Sequence, residues 1–134
     1  CICIWDFDEK AENAILQSLK PDYIKGLTLL GGDPFEPENQ RGLMDFIRRV
    51  KREYPQKDIW AYTGYLLDRD LVKGGRVYTE VTDELLSYLD VLVDGPFVEE
   101  QKDIRLKFRG SANQRIIDLR RTEEKGEICL HEIR

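Results

Sequence analysis

The sequence predicts an α/β domain built on a parallel sheet. Segments with apolar residues at helical spacing alternate along the chain with short apolar runs, and glycine or proline punctuates the junctions. At 134 residues the chain has material for one core and not for two. A single domain spanning 1–134 is therefore expected.

Ala11, Ile15, Leu16 and Leu19 recur at helical spacing, and Pro21 ends that helix. Leu27 to Leu30, bounded by Gly26 and by Gly31-Gly32, reads as a buried strand. Leu43, Phe46, Ile47, Val50 and Tyr54 trace one face of a long helix that stops at Pro55. Asp58 to Tyr62, rich in aromatic and β-branched residues, is the next strand. Leu66 to Val72 reads as a short helix ending at Gly74-Gly75. Leu85, Leu86 and Leu89 mark another helix, and Val91 to Val93 another strand. Beyond Gly95 the alternation is less regular. Ile104 to Phe108 reads as a strand, and Ile116 to Leu119 is expected to pair with Ile128 to Leu130 as a hairpin around the polar turn Thr122 to Gly126.

Apolar residues make up 41% and charged residues 35%, the composition of a globular chain rather than a disordered one. The net charge of −5 argues against binding to a nucleic-acid backbone, which needs clustered positive charge. The basic run Arg48, Arg49, Lys51, Arg52 is offset by Asp45 and Glu53 and reads as a solvated helix face. No apolar run approaches the length of a membrane span, and no export signal opens the chain. Cys1, Cys3 and Cys129 are an odd set, which points to a reducing, cytoplasmic compartment rather than a disulfide framework. Cys129 reads as a structural thiol, and the lone His131 is assigned no role.

Open parallel sheets bind ligands outside the carboxyl ends of their strands. There the sequence places Gly31-Gly32-Asp33-Pro34-Phe35, then Thr63-Gly64-Tyr65, then Asp94-Gly95-Pro96-Phe97, then Arg109-Gly110-Ser111-Ala112-Asn113-Gln114-Arg115. Each joins glycine to a polar side chain, which suits a polar, nucleotide-like ligand. Turn chemistry alone accounts for any one of them. Asp33 has two readings, a carboxylate that pairs with a ligand ammonium or a cap or turn residue ahead of the helix. A loop carboxylate in the first role would contribute more to binding than to folding. Phe35 and Phe97 read either as pocket walls or as loop anchors.

Gly31-Gly32-Asp33-Pro34 is similar to the GGE-type motif of radical S-adenosylmethionine enzymes. With Asp58-Ile59-Trp60 leading to Thr63-Gly64-Tyr65, with Val91-Leu92-Val93-Asp94-Gly95-Pro96-Phe97, and with Arg109 to Gln114, the chain from about Trp5 to about Leu119 resembles the activating proteins of anaerobic ribonucleoside-triphosphate reductase. The resemblance implies a partial, open (βα) barrel of the radical-SAM type, shorter than a full eight-stranded one. It implies a [4Fe-4S] cluster held by three cysteine thiolates, with one iron open to S-adenosylmethionine. Reductive cleavage of that molecule forms a 5'-deoxyadenosyl radical, which takes a hydrogen atom from a glycine of the reductase large subunit. A small electron donor such as flavodoxin is the implied partner on the reducing side.

On this resemblance Gly31 and Gly32 contact the methionine moiety through backbone groups, Asp33 accepts from its ammonium, and Pro34 is a further cofactor-binding candidate. Thr63, Asp94 and Asn113 are candidates for ribose, adenine or methionine contacts. Arg109 pairs with a carboxylate or braces its loop. Cys1 and Cys3 are the candidate metal ligands. The family pattern is Cys-x3-Cys-x2-Cys, whereas this chain has Cys1-Ile2-Cys3, so loop residues are expected to be missing from it. The first residue is Cys rather than Met, and further sequence is expected upstream. The rival readings are another small radical enzyme, such as a pyruvate formate-lyase activating enzyme or a deazaguanine synthase, and a cluster-free interaction protein that kept the fold. The Asp94 to Phe97 and Arg109 to Gln114 landmarks oppose the first rival; the cysteine spacing favours the second.

Overall fold

A computed structural model describes residues 2–3, 9–21, 26–30, 33–96, 98, 100, 102 and 113–130. Among the described residues nine elements follow one another: β1 (Ile2–Cys3), α1 (Glu9–Ser18), β2 (Gly26–Leu30), α2 (Pro37–Glu53), β3 (Asp58–Tyr62), α3 (Thr82–Tyr88), β4 (Val91–Asp94), β5 (Arg115–Asp118) and α4 (Leu119–Lys125). The strands form one sheet in the order β1-β2-β3-β4-β5. β1 to β4 are parallel, with Leu29 opposite Ile2 and Ala61, and Ala61 opposite Leu92. β5 runs antiparallel to β4, with Ile117 opposite Leu92 and Arg115 opposite Asp94. The sheet is thus open, as expected, and mixed: the antiparallel pairing of β5 with β4 corrects the parallel sheet expected from sequence. The reversal arises because Asn113 and Gln114 already lie at the β4 tip, so the chain can only run back along it.

α2 shows why the local sequence folds as it does. Pro37 sits in its first turn, where the missing amide is no loss. Leu43, Phe46, Ile47 and Val50 are buried on one stripe. Lys51 and Arg52 lie in the last turn, where cations oppose the helix dipole. The Tyr54 amide closes the helix on the Val50 carbonyl, and Pro55 follows. This stripe packs with Leu16 of α1 and Leu19 just beyond it, Leu85 of α3 and Leu119 of α4 against Leu27, Leu29, Ile59, Ala61, Leu92 and Ile117 of the sheet. The opposite face carries a smaller group, Val91, Val93 and Ile116, with Trp60 and Tyr62 packed on it. β4 is buried at every position because it is covered on both faces.

Asp90, just before β4, ties the amino-terminal end of the sheet. It accepts from the Ile59 amide at 2.8 Å and pairs with Lys51 at 3.6 Å and Arg120 at 2.5 Å. The strand tips at the other end are therefore held from below.

Three local expectations need correction. Leu66 to Val72 is a series of turns and not a helix: the Asp70 carboxylate takes the Leu66 amide, and Asp70 spends its own carbonyl on Val77. Thr122 to Lys125 lies in α4 rather than in a hairpin turn. Asp118 caps that helix by accepting from the Arg121 amide, and Gly126 closes it at φ 70°. Ile117 does bridge Leu130, but through one isolated pairing. β1 had not been expected. The strand expected at Ile104 to Phe108 lies outside the described residues.

Candidate functional site

The β2 and β3 tips are joined by one carboxylate. Asp33 Oδ1 accepts from the Phe35 amide at 3.0 Å and from Thr63 Oγ1 at 2.7 Å, while Oδ2 accepts from the Gly64 amide at 2.9 Å. The Asp33 carbonyl takes the Glu36 amide at 3.1 Å and Asn39 Nδ2 at 2.9 Å. Asp33 is thus a turn residue that also crosses to the next strand. It does not cap α2, whose N-cap is Glu36. Pro34 and Phe35 are buried; Phe35 is fully enclosed in the core, so it anchors the turn.

Thr63 is buried, and its hydroxyl both donates to Asp33 and accepts from the Tyr65 amide at 3.2 Å. The Tyr65 hydroxyl donates to Glu36, and this hydrogen bond with the loss of hydration pushes its pKa up to about 12. A buried amide forms the floor of the same region. Gln40 Nε2 donates to the carbonyls of Phe35 and Val77, and Oε1 accepts from the hydroxyls of Thr79 and Thr82. Gln40 is fully buried with its hydrogen-bonding groups engaged, and it couples the β2–α2 turn to the β3–α3 connection.

The β4 tip is tied to both neighbours. The Thr63 amide donates to the Val93 carbonyl and the Gly95 amide to the Tyr65 carbonyl, each at 3.0 Å. Asp94 is fully buried. Its carboxylate accepts from Arg115 Nε at 2.9 Å, Arg115 Nη2 at 2.5 Å and the Leu67 amide at 2.8 Å. Arg115 also reaches Asp68 at 3.0 Å. The hydrogen bonds to Asp94 hold the Arg115 pKa well above its ordinary value, and the Arg115 hydrogen bond lowers that of Asp68. Gly95 turns at φ 101°, a conformation that favours glycine. Asn113 Nδ2 donates to the Pro96 carbonyl at 2.7 Å and Gln114 Nε2 to the Gly95 carbonyl at 3.0 Å.

Asp33, Pro34, Thr63, Asp94 and Asn113 therefore share the carboxyl edge of the parallel strands. Their roles are unequal: the Asp94 carboxylate is committed to Arg115 and Leu67, so it shapes the tip rather than facing a ligand. Gly31, Gly32, Arg109 and Cys1 lie outside the described residues. Cys3 ends β1 on the tip edge, opposite Leu30, and only its backbone is described. Cys129 is at the far end of the sheet, where its carbonyl accepts the Asp118 amide. Among the described residues no group of three or more His, Cys, Asp or Glu side chains is arranged to hold a metal ion. The residues missed from sequence are Arg115 and Gln40. Arg115 had a signal, since an arginine one residue beyond Gln114 at a strand start was there to pair with Asp94; Gln40, on a helix amid charged residues, had none.

Residues 4–117 match the family described as a 4Fe-4S single cluster domain. The chain is 51% identical over 110 residues to an anaerobic ribonucleoside-triphosphate reductase-activating protein of Haemophilus influenzae, covering 81% of this chain and 66% of that protein. The protein of that name from Escherichia coli K12 is 37% identical over 116 residues, covering 85% and 70%. That of phage T4 is 39% identical over 98 residues, covering 73% and 56%. The chain thus spans somewhat under two thirds of the length of the Haemophilus relative. No solved structure matches it. No helix among the described residues is long and apolar enough to cross a membrane. At this identity and coverage the chain belongs to the anaerobic ribonucleoside-triphosphate reductase-activating proteins.

Proposed function

We propose that the protein installs a glycyl radical on an anaerobic ribonucleotide reductase, by reductive cleavage of S-adenosylmethionine at a [4Fe-4S] cluster. The observation that carries this reading is the Asp33 bridge, which gathers the β2 and β3 tips into one polar edge directly after Gly31-Gly32. The names of the relatives support the same reading. Residues 1–134 would form a single domain, with the sheet as part of a partial, open (βα) barrel whose inner face carries Trp60 and Tyr62. Four consecutive parallel strands that each advance by one place suit that architecture.

When bound, the cluster supplies the electron that breaks the sulfonium carbon–sulfur bond. Such a cluster takes three cysteine thiolates here. Cys3 at the tip edge and Cys129 at the opposite end of the sheet cannot belong to one set, so the cysteines of these 134 residues supply at most two of the three thiolates. The chain's own residues supply the binding half of the reaction. Gly31 and Gly32 would offer backbone groups to the methionine moiety. Asp33 has one acceptor position left on Oδ2 after three hydrogen bonds, and that position would receive the ammonium. Thr63 and Asn113 would border the ribose, Asp94 would hold the β4 turn through Arg115, and Arg109 would meet a carboxylate. Cys1 and Cys3 would lie beside the metal. The reductase large subunit would close the open side, a flavodoxin-like protein would deliver the electron, and the compartment would be the cytoplasm.

Anaerobic reconstitution with iron and sulfide, followed by S-adenosylmethionine, reductant and the reductase large subunit, tests the reading. A glycyl-radical signal in the electron paramagnetic resonance spectrum is expected. A cluster-loaded, cofactor-binding protein that leaves the reductase without a radical would refute it. The incomplete thiol set favours one second reading, a cluster-free interaction module; a colourless protein after reconstitution that still binds the reductase would establish that instead.

A further inference from the structure

We propose that the connection between β3 and α3 binds a small molecule bearing a polyphosphate chain, through Arg69 and Arg76. The cavity adjoins the strand-tip edge at Gly64 and Pro96, but this inference does not depend on the proposed radical chemistry. The connection runs from residue 63 to residue 81 without a helix or strand, a length more often functional than merely connective. With Pro96 it borders an open cleft of about 620 Å³, lined by Gly64, Arg69, Asp70, Gly74, Gly75 and Arg76, and that volume suits a nucleotide-sized ligand.

The cavity wall is built in detail. The Arg76 guanidinium lies 4.8 Å from the centre of the Tyr65 ring and 3.4 Å from Asp70 Oδ1, yet its side chain is 69% exposed. It is therefore oriented without being buried, and Tyr65 is in turn anchored by Glu36. Arg69 is exposed on the same wall and has no ion-pair partner among the described residues. Gly74 turns at φ 86°, and a Cβ on Gly75 would come within 2.4 Å of the Asp70 carbonyl oxygen. Two glycines are thus required where the backbone lines the cavity.

The lining favours an anion. Two guanidinium groups line the cavity with one carboxylate, Asp70, and a second carboxylate, Asp33, stands against the Gly64 amide with three hydrogen bonds already made. The Asp70 carboxylate is already engaged by the Leu66 amide and Arg76, which limits its repulsion of an anion. Guanidinium forks match phosphate oxygens two at a time. A lone carboxylate would fill little of the cavity, whereas a polyphosphate spans both arginines.

Titration calorimetry of the full chain with sodium tripolyphosphate and with ATP at low salt tests this. Both should bind, and Arg69→Ala and Arg76→Ala should each weaken binding about tenfold or more, the loss expected for a charge-assisted hydrogen bond. Arg121→Ala, an equal change of charge on α4, should leave binding unchanged. Tighter binding of ATP would mean that the cavity also accepts a nucleoside, and equal binding that it reads the phosphates alone; both support the site. No heat with either probe, equal weakening by Arg121→Ala, or binding of oligoglutamate but of neither phosphate would overturn it. Arg69 is exposed and makes no internal contact that folding requires, so its variant keeps the test decisive if Arg76→Ala melts early.

Discussion

Replacing Asp33 by alanine should destabilise the protein as well as weaken cofactor binding, and the size of the first effect follows from the bridge. Three hydrogen bonds end on this carboxylate. A hydrogen bond to a charged group contributes about 1.5–3 kcal/mol when sheltered from water. Phe35 and Thr63 are buried donors, so each should count near the low end of that range; Gly64 is exposed, so water replaces most of its loss. The total is about 3 kcal/mol, and for a chain of this size it should lower the melting temperature by about 10 °C. Urea unfolding with an unchanged m value is the assay. A cycle with Thr63→Val should show coupling of about 1 kcal/mol, because the two side chains share a bond. A loss under about 0.5 kcal/mol, or additivity in the cycle, would show that the tips do not depend on this bridge. The sequence suggests a smaller folding effect, since it offers no sign that Asp33 reaches across to Thr63 and Gly64.

Three further outcomes are expected. Gln40→Leu should cost about 3–5 kcal/mol in guanidinium unfolding, because it removes four buried hydrogen bonds, taking the amide donor from the Phe35 and Val77 carbonyls and leaving the Thr79 and Thr82 hydroxyls to each other; a loss below about 1 kcal/mol would contradict the network. Arg115→Met should cost about 3–5 kcal/mol by leaving Asp94 buried and unpaired, and adding Asp94→Asn should recover part of it; no recovery would place the cost elsewhere. Hydrogen bonds from Arg48 and Arg41 hold the Glu84 and Glu80 carboxyls at about 2, below an ordinary 4.5. Folded values below the unfolded ones mean that this contribution is present above about pH 4.5 and fades as pH falls towards about 2. Both pairs are exposed and the effect is small; Glu84→Gln should flatten the fall of the urea midpoint across that window, and an unaltered slope would refute the assignment.

The sequence reveals an element where one physical signal dominates. Asp58 to Tyr62 is a strand in both readings because its alternating bulky residues are flanked by a helix-ending proline and a glycine turn. The α2 stripe is legible for the same reason. Leu66, Leu67 and Leu71 have helical spacing, but Asp70 diverts the local amides into turns, a choice made by a side chain rather than by periodicity. The polar stretch after Asp118 hides a helix whose signals are its ends, Asp118 and Gly126, and not its apolar content. At the site, chain order and turn chemistry indicate which residues share an edge. They do not indicate which carboxylates remain available. Asp94 looks like a ligand from sequence and is spent on Arg115, a partner identified only when β5 turns back beside β4.

The strand order also bears on how the protein is made. Among the described residues each strand from β2 onward is laid beside the described strand synthesised before it, so none of these has to wait for a distant partner to leave the ribosome. A sheet assembled in this way grows as a zipper behind the translating chain. β1 stays at one edge throughout, and the growing edge is the newest strand, a place that β5 finally takes in the reverse direction.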